Sequence, residues 1–141
     1  MNDAQIKQFV EEKKLRPRIL DKLRILSILN SAEQTAKEVQ KFNLNEKTAT
    51  IIFREFYEAI RQIGDAKWWF TGYEPFGHEI SIDLLMEENP VEFKHLDRFR
   101  RIRNDANYGG YAVTIEQTKE IVNFWNVHGK KLLLRLKKEV K

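Results

Sequence analysis

Ile52-Phe53-Arg54-Glu55-Phe56-Tyr57-Glu58-Ala59-Ile60-Arg61-Gln62-Ile63-Gly64-Asp65-Ala66-Lys67-Trp68-Trp69-Phe70 is the stretch whose reading decides the fold. At about 100° per residue, Ile52, Phe56, Ala59, Ile63 and Phe70 form one apolar stripe, and Phe53, Tyr57, Gly64 and Trp68 form a ridge beside it. An arc that wide predicts a helix packed against more than one neighbour. Gly64, bare among large residues, predicts a close backbone approach despite costing about 1 kcal/mol of helix propensity. Asn45 reads as the N-cap and Gly72 as the stop, which places this helix near 46–71.

Working outward, the same periodicity predicts helices near 3–14, 17–42, 78–88, 91–107 and 115–139. Pro17 suits a first helical turn, Asn89-Pro90 breaks the chain, and Thr114 with Gln117 forms a capping box. No alternating run of strand length occurs. The expectation is an all-α, up-and-down helical bundle of four to five core helices (17–141), with an accessory N-terminal helix over 1–16. The second helix carries Ile25, Ile28, Leu29, Ala32, Ala36 and Val39 on one side and Ile19, Leu23 and Leu26 on another. The first helix, through Ile6, Phe9 and Val10, is the natural cover for that second stripe. The last helix repeats Ile115, Thr118, Val122, Trp125, Gly129, Leu132 and Leu136 as a bundle seam. Trp69 falls toward Glu55 and Gln62, and Phe124 and Val127 lie opposite the seam, so these residues predict a subunit interface and a homodimer.

Composition excludes several classes. A chain of 141 residues with 42% hydrophobic content suits a single domain with a real core. With no cysteine and three scattered histidines there is no disulfide, no thiol nucleophile and no metal-ligand spacing, so neither metal nor cofactor is expected. No signal-like run and no span of roughly 20 apolar residues is present, so the expectation is a cytoplasmic protein without a membrane segment. The net charge of +4 is diluted among 33% charged residues. Three basic clusters stand out: Lys13 to Arg24, Arg98 to Arg103, and Lys130-Lys131 with Arg135, Lys137 and Lys138. Such runs ordinarily form solvated helix faces.

Arg103 resists that reading. On a helix it falls between Leu96 and Phe99, beside Ile102 and Ala106, in the middle of an apolar stripe. A guanidinium keeps its proton, so burial there demands a carboxylate, a phosphate or several other acceptors. Glu58, Asp83 or Asp97 would make it a structural ion pair; a phosphate would make it a ligand group. The polar turn after it favours the ligand: Asn104, Asp105, Asn107, Gly109 and Gly110, with Tyr108 and Tyr111, can hold a phosphate or stack on a base. The candidate binding residues are Arg100, Arg103, Asn104, Asn107 and Tyr108. His78, at a helix start, is either a cap or a general acid or base, whereas His95 and His128 read as packed neutral imidazoles.

Ala59, Gly64-Asp65-Ala66-Lys67, Gly72-Tyr73, His78-Glu79 and Leu84-Leu85, followed by Arg103-Asn104-Asp105-Ala106-Asn107-Tyr108-Gly109, resemble HEPN domains over roughly residues 20–138. The resemblance implies a dimerising helical bundle of a kind found as ribonuclease toxins, as partners of minimal nucleotidyltransferases and in defence systems. Active members carry an arginine, four to six residues, then a histidine. Here Arg103-Asn104 matches the front of that motif, and Tyr108, Gly109 and Gly110 fill the places of the histidine. The pattern resembles the histidine-lacking branch, and a phenol is a poor general base at neutral pH. By resemblance, the chain is expected to be a nucleotide- or RNA-binding dimer module, catalytically degenerate, in a toxin–antitoxin or defence setting. Two rival expectations stand beside it. One is an active metal-independent ribonuclease using Arg103, Tyr108 and His78, or His95 in place of His78. The other is a structural partner subunit of a minimal nucleotidyltransferase.

Overall fold

A computed structural model describes residues 1–141, apart from the side chain of His78. The order is α1 (Asp3–Glu11), β1 (Leu15–Pro17), α2 (Lys22–Val39), α3 (Ala49–Phe70), β2 (Tyr73–Pro75), α4 (His78–Glu88), α5 (Leu96–Tyr108), α6 (Ile115–Phe124), a π-helical turn (Trp125–Gly129) and α7 (Lys130–Val140). The chain is an all-α helical bundle with a short N-terminal helix. As the wide apolar arc requires, α3 is the central pillar, touching α2, α4, α5 and α6, while α7 closes against α2. Ile52, Phe53, Phe56, Tyr57, Ile60, Ile63 and Trp68 on α3 are all buried. A Cβ on Gly64 would lie 2.8 Å from the Ser81 carbonyl carbon, so α4 crosses α3 at the one position lacking a side chain. Among the described residues no helix is long and apolar enough to cross a membrane.

Helix ends follow local chemistry. Asp21 accepts from the Arg24 backbone N–H and starts α2, and the Thr114–Gln117 capping box starts α6. The Asn45 side chain accepts from the N–H groups of Lys47 and Thr48, but what it organises is the turn before α3, whose helix begins at Ala49. Residues 91–95 form turns, so α5 begins at Leu96.

Several expectations are corrected. Pro17 does not open a helix: it ends β1, which pairs antiparallel with β2 in the register Leu15↔Pro75, Arg16↔Glu74, Pro17↔Tyr73. Three-residue strands are too short to show alternation in sequence. The first helix does not cover Ile19 and Leu23. Instead Met1, Ile6, Phe9 and Val10 pack against Leu15, Trp68, Ile80 and Leu84, because the β1–β2 pair draws the N-terminus over the α3–α4 crossing. Trp69 and Phe124 are 6% and 4% exposed and form no surface for a partner. The reason for Trp69 is the α2–α3 register: Gln62 donates to Ser31, and seven residues along each helix Arg24 lies over the Trp69 ring at 5.1 Å. Phe124 sits 5.6 Å from Phe99 and 5.4 Å from Phe93. Val127 alone of the three stays exposed.

The C-terminal seam is one continuous rod with a π-helical turn in its middle. The Trp125 indole lies over Gly129, where a Cβ would come within 2.8 Å of Cε3. A seam spaced by threes and fours does not reveal the extra residue of a π turn.

Candidate functional site

The site lies where α5 brings its charged face against α3 and α4. Leu96, Phe99 and Ala106 anchor α5 in the core, and Arg100 and Arg103 lie half-buried on the same side of the helix. Arg100 is held by two carboxylates: Nη1 donates to Asp83 at 2.8 Å and Nη2 to Asp97 at 2.9 Å. These two carboxylates hold its proton more firmly than usual, against the opposing effect of burial. On α3, Arg61 bridges Glu58 and Asp65, the latter at 2.7 Å, and Asp65 also accepts from the buried Ser81 hydroxyl. Arg98 makes a two-bond pair with Glu120 at 3.1 and 3.0 Å.

Arg103 differs from these three. It is half-buried, its guanidinium sits 5.6 Å from the centroid of the Tyr57 ring, and its only hydrogen bond among the described residues is a long one, 3.4 Å to Asn104. No carboxylate of the described residues lies within ion-pair distance. Asp83 and Asp97 are taken by Arg100, and Glu58 pairs with Arg61. The platform under Arg103 was not apparent from sequence. Tyr57 is 2% exposed, and burial pushes its phenol up to about 12, although Arg100, Arg103 and Arg61 all pull it down. A second missed residue is Arg54, whose Nη2 donates to the Ala106 carbonyl at 3.4 Å. Cations are favoured at such a helix C-terminus. The available signal was spacing, since Arg54 precedes Tyr57 by three residues and shares its side of α3.

Arg103 and Asn104 stand together, and Asn107, one turn on from Arg103, is exposed beside them. Tyr108 is 81% exposed, and five residues along a helix place it about 140° round from Arg103, on another face. After it, Gly110 turns the chain at φ +71°, and Tyr111 folds back so that its backbone N–H reaches the Asp105 carbonyl at 3.3 Å. His95 is exposed just ahead of α5, not packed as expected, and lies about 12 Å along the axis from Arg103. His128 is half-buried against Phe93 and Phe124, and its Nδ1 lies 4.0 Å from Glu92. His78 begins α4, and its side chain falls outside the described residues.

Comparisons with protein-family models, with characterised proteins and with solved structures return no significant match.

Proposed function

We propose that the chain is a nucleotide- or RNA-binding module, HEPN-like and of the histidine-lacking kind, that works as a cytoplasmic homodimer and binds without cleaving. The observation that supports this most is the state of Arg103: half-buried, fixed over an aromatic face, with no carboxylate among the described residues to neutralise it. A guanidinium so held keeps its planar fork available for a phosphate, the partner that would offset its desolvation. Asn107 adds an exposed amide, and Tyr108 and Tyr111 add exposed rings on which a base can stack. Arg100, the other candidate arginine on this face, already has carboxylate partners. Committed to Asp83 and Asp97, it holds α5 against α4. Moving a proton is a separate task from stabilising phosphate charge, and neither Tyr108 on its own face nor the distant His95 performs it beside Arg103.

The test is fluorescence anisotropy with a labelled single-stranded RNA and a labelled nucleotide, in excess chelator, with RNA length followed on a gel. Wild type binds at least one of them, Arg103→Met binds at least about tenfold more weakly, and the RNA stays intact. Equal binding by the variant, or no binding of either probe, overturns the proposal. Cleavage that disappears in Arg103→Met replaces it with an active ribonuclease.

A further inference from the structure

Lys13-Lys14-Leu15-Arg16-Pro17-Arg18-Ile19-Leu20-Asp21-Lys22-Leu23-Arg24 holds six cations and one acid in twelve residues. Once α1 is docked over Leu15 and Trp68, three aliphatic side chains of this stretch are left in water: Ile19 at 91%, Leu23 at 81% and Leu20 at 53% exposure. Isolated exposed apolar residues need no explanation, but three within five residues, on the segment between β1 and α2 and the first turn of α2, call for one. The surrounding charge is not neutralised. Arg18 pairs with Glu74 and Lys14 with Glu12, whereas Lys13, Arg16, Lys22 and Arg24 have no carboxylate within ion-pair distance among the described residues. Arg16 lies over Phe76, itself 50% exposed, and the one acid, Asp21, is occupied as the α2 cap.

We propose that this segment is a peripheral docking surface for an anionic lipid bilayer, with Ile19, Leu20 and Leu23 entering the acyl boundary while Arg16, Lys22 and their neighbours contact lipid phosphates. The complementarity of charge and shape selects this occupant. An RNA strand satisfies the cations but offers nothing to branched aliphatic side chains, which cannot stack on bases. A second copy docked about a two-fold axis would bring two copies of this same cationic surface into one interface, with like charges opposed. A folded partner must supply a socket for two side chains that stand almost wholly free, whereas the acyl boundary takes them without one.

Flotation of the full chain with vesicles of phosphatidylcholine alone, and of phosphatidylcholine mixed with phosphatidylglycerol, tests the proposal. Wild type floats only with the anionic vesicles. Ile19→Ser with Leu23→Ser, and separately Arg16→Ser with Lys22→Ser, each lower partitioning at least about tenfold at unchanged melting temperature. RNA binding through Arg103 is unaffected, so failure here is distinct from failure of that reading. Three results overturn the inference. The first is absence of flotation with anionic vesicles, including the case in which only an RNA oligonucleotide depends on Arg16 and Lys22. The second is flotation indifferent to Ile19→Ser with Leu23→Ser, which is mere adsorption. The third is conversion of a dimer to a monomer by those two substitutions in sedimentation.

Discussion

Arg100 and Arg103 are three residues apart on one helix, and their surroundings differ: Arg100 holds two carboxylates, Arg103 none among the described residues. Removing Arg100 takes away both ion pairs that tie α5 to α4 and to its own first turn. Arg100→Met is expected to lose about 1–2 kcal/mol in chemical denaturation, a modest figure because Asp83 and Asp97 are partly exposed and can rehydrate. Arg103→Met removes a charge with no carboxylate partner among the described residues and leaves an apolar chain over Tyr57, so stability holds within about 0.5 kcal/mol or rises. A loss of several kcal/mol would mark Arg103 as structural and remove the basis of the binding proposal. Tyr57 gives a spectroscopic check. Its phenol is raised to about 12, chiefly by burial, so the folded state keeps this proton between pH 10 and 12 while the unfolded chain releases it. The corresponding stability is present below pH 10 and declines as pH rises through 12. Ultraviolet titration of the four tyrosines should show one late component that Tyr57→Phe deletes.

Among the elements, the α3–α4 crossing is the most sensitive contact. An alanine at 64 would gain roughly 1 kcal/mol of helix propensity, but its methyl would meet the Ser81 carbonyl group and Cβ, and backbone cannot swing aside as a side-chain tip can. Gly64→Ala is expected to be destabilising overall, by about 2–4 kcal/mol in thermal or urea melts, with α4 displaced and the Ser81–Asp65 hydrogen bond lost. This contact was legible in the sequence because a lone glycine in a helix of large residues has few other uses. So were the wide arc of α3, the span of α4 and the capping box of α6, each set by short-range chemistry. The rest depended on tertiary register. Whether Trp69 faced water or α2 turned on which α2 residue stood opposite, and sequence periodicity carries no such information. The same holds at the site. The half-buried place of Arg103 followed from its stripe, but the distribution of Glu58, Asp83 and Asp97 among the arginines followed from the packing of α4 and α5 on α3.

Across the whole molecule, α2 and α7 meet late in the chain's path, and Lys137 reaches Glu33 over a separation of 104 residues at 3.0 Å. Lys137 holds the Glu33 carboxyl below its ordinary value of 4.5, so the stabilisation is present above that pH and is lost as pH falls through the lower folded value. Lys137→Met should flatten the acid side of the stability profile by less than about 1 kcal/mol, since both groups are partly exposed. The three-residue pairing of β1 with β2 has a consequence of another kind, in time. Leu15 finds Pro75 only across sixty residues of chain, and the stripe that receives α1 is assembled from Trp68, Ile80 and Leu84 on two helices that must already be crossed. The N-terminal seventeen residues are therefore expected to form the less stable part of the molecule, and hydrogen exchange checks this: their amides should exchange with solvent water well ahead of those in α3.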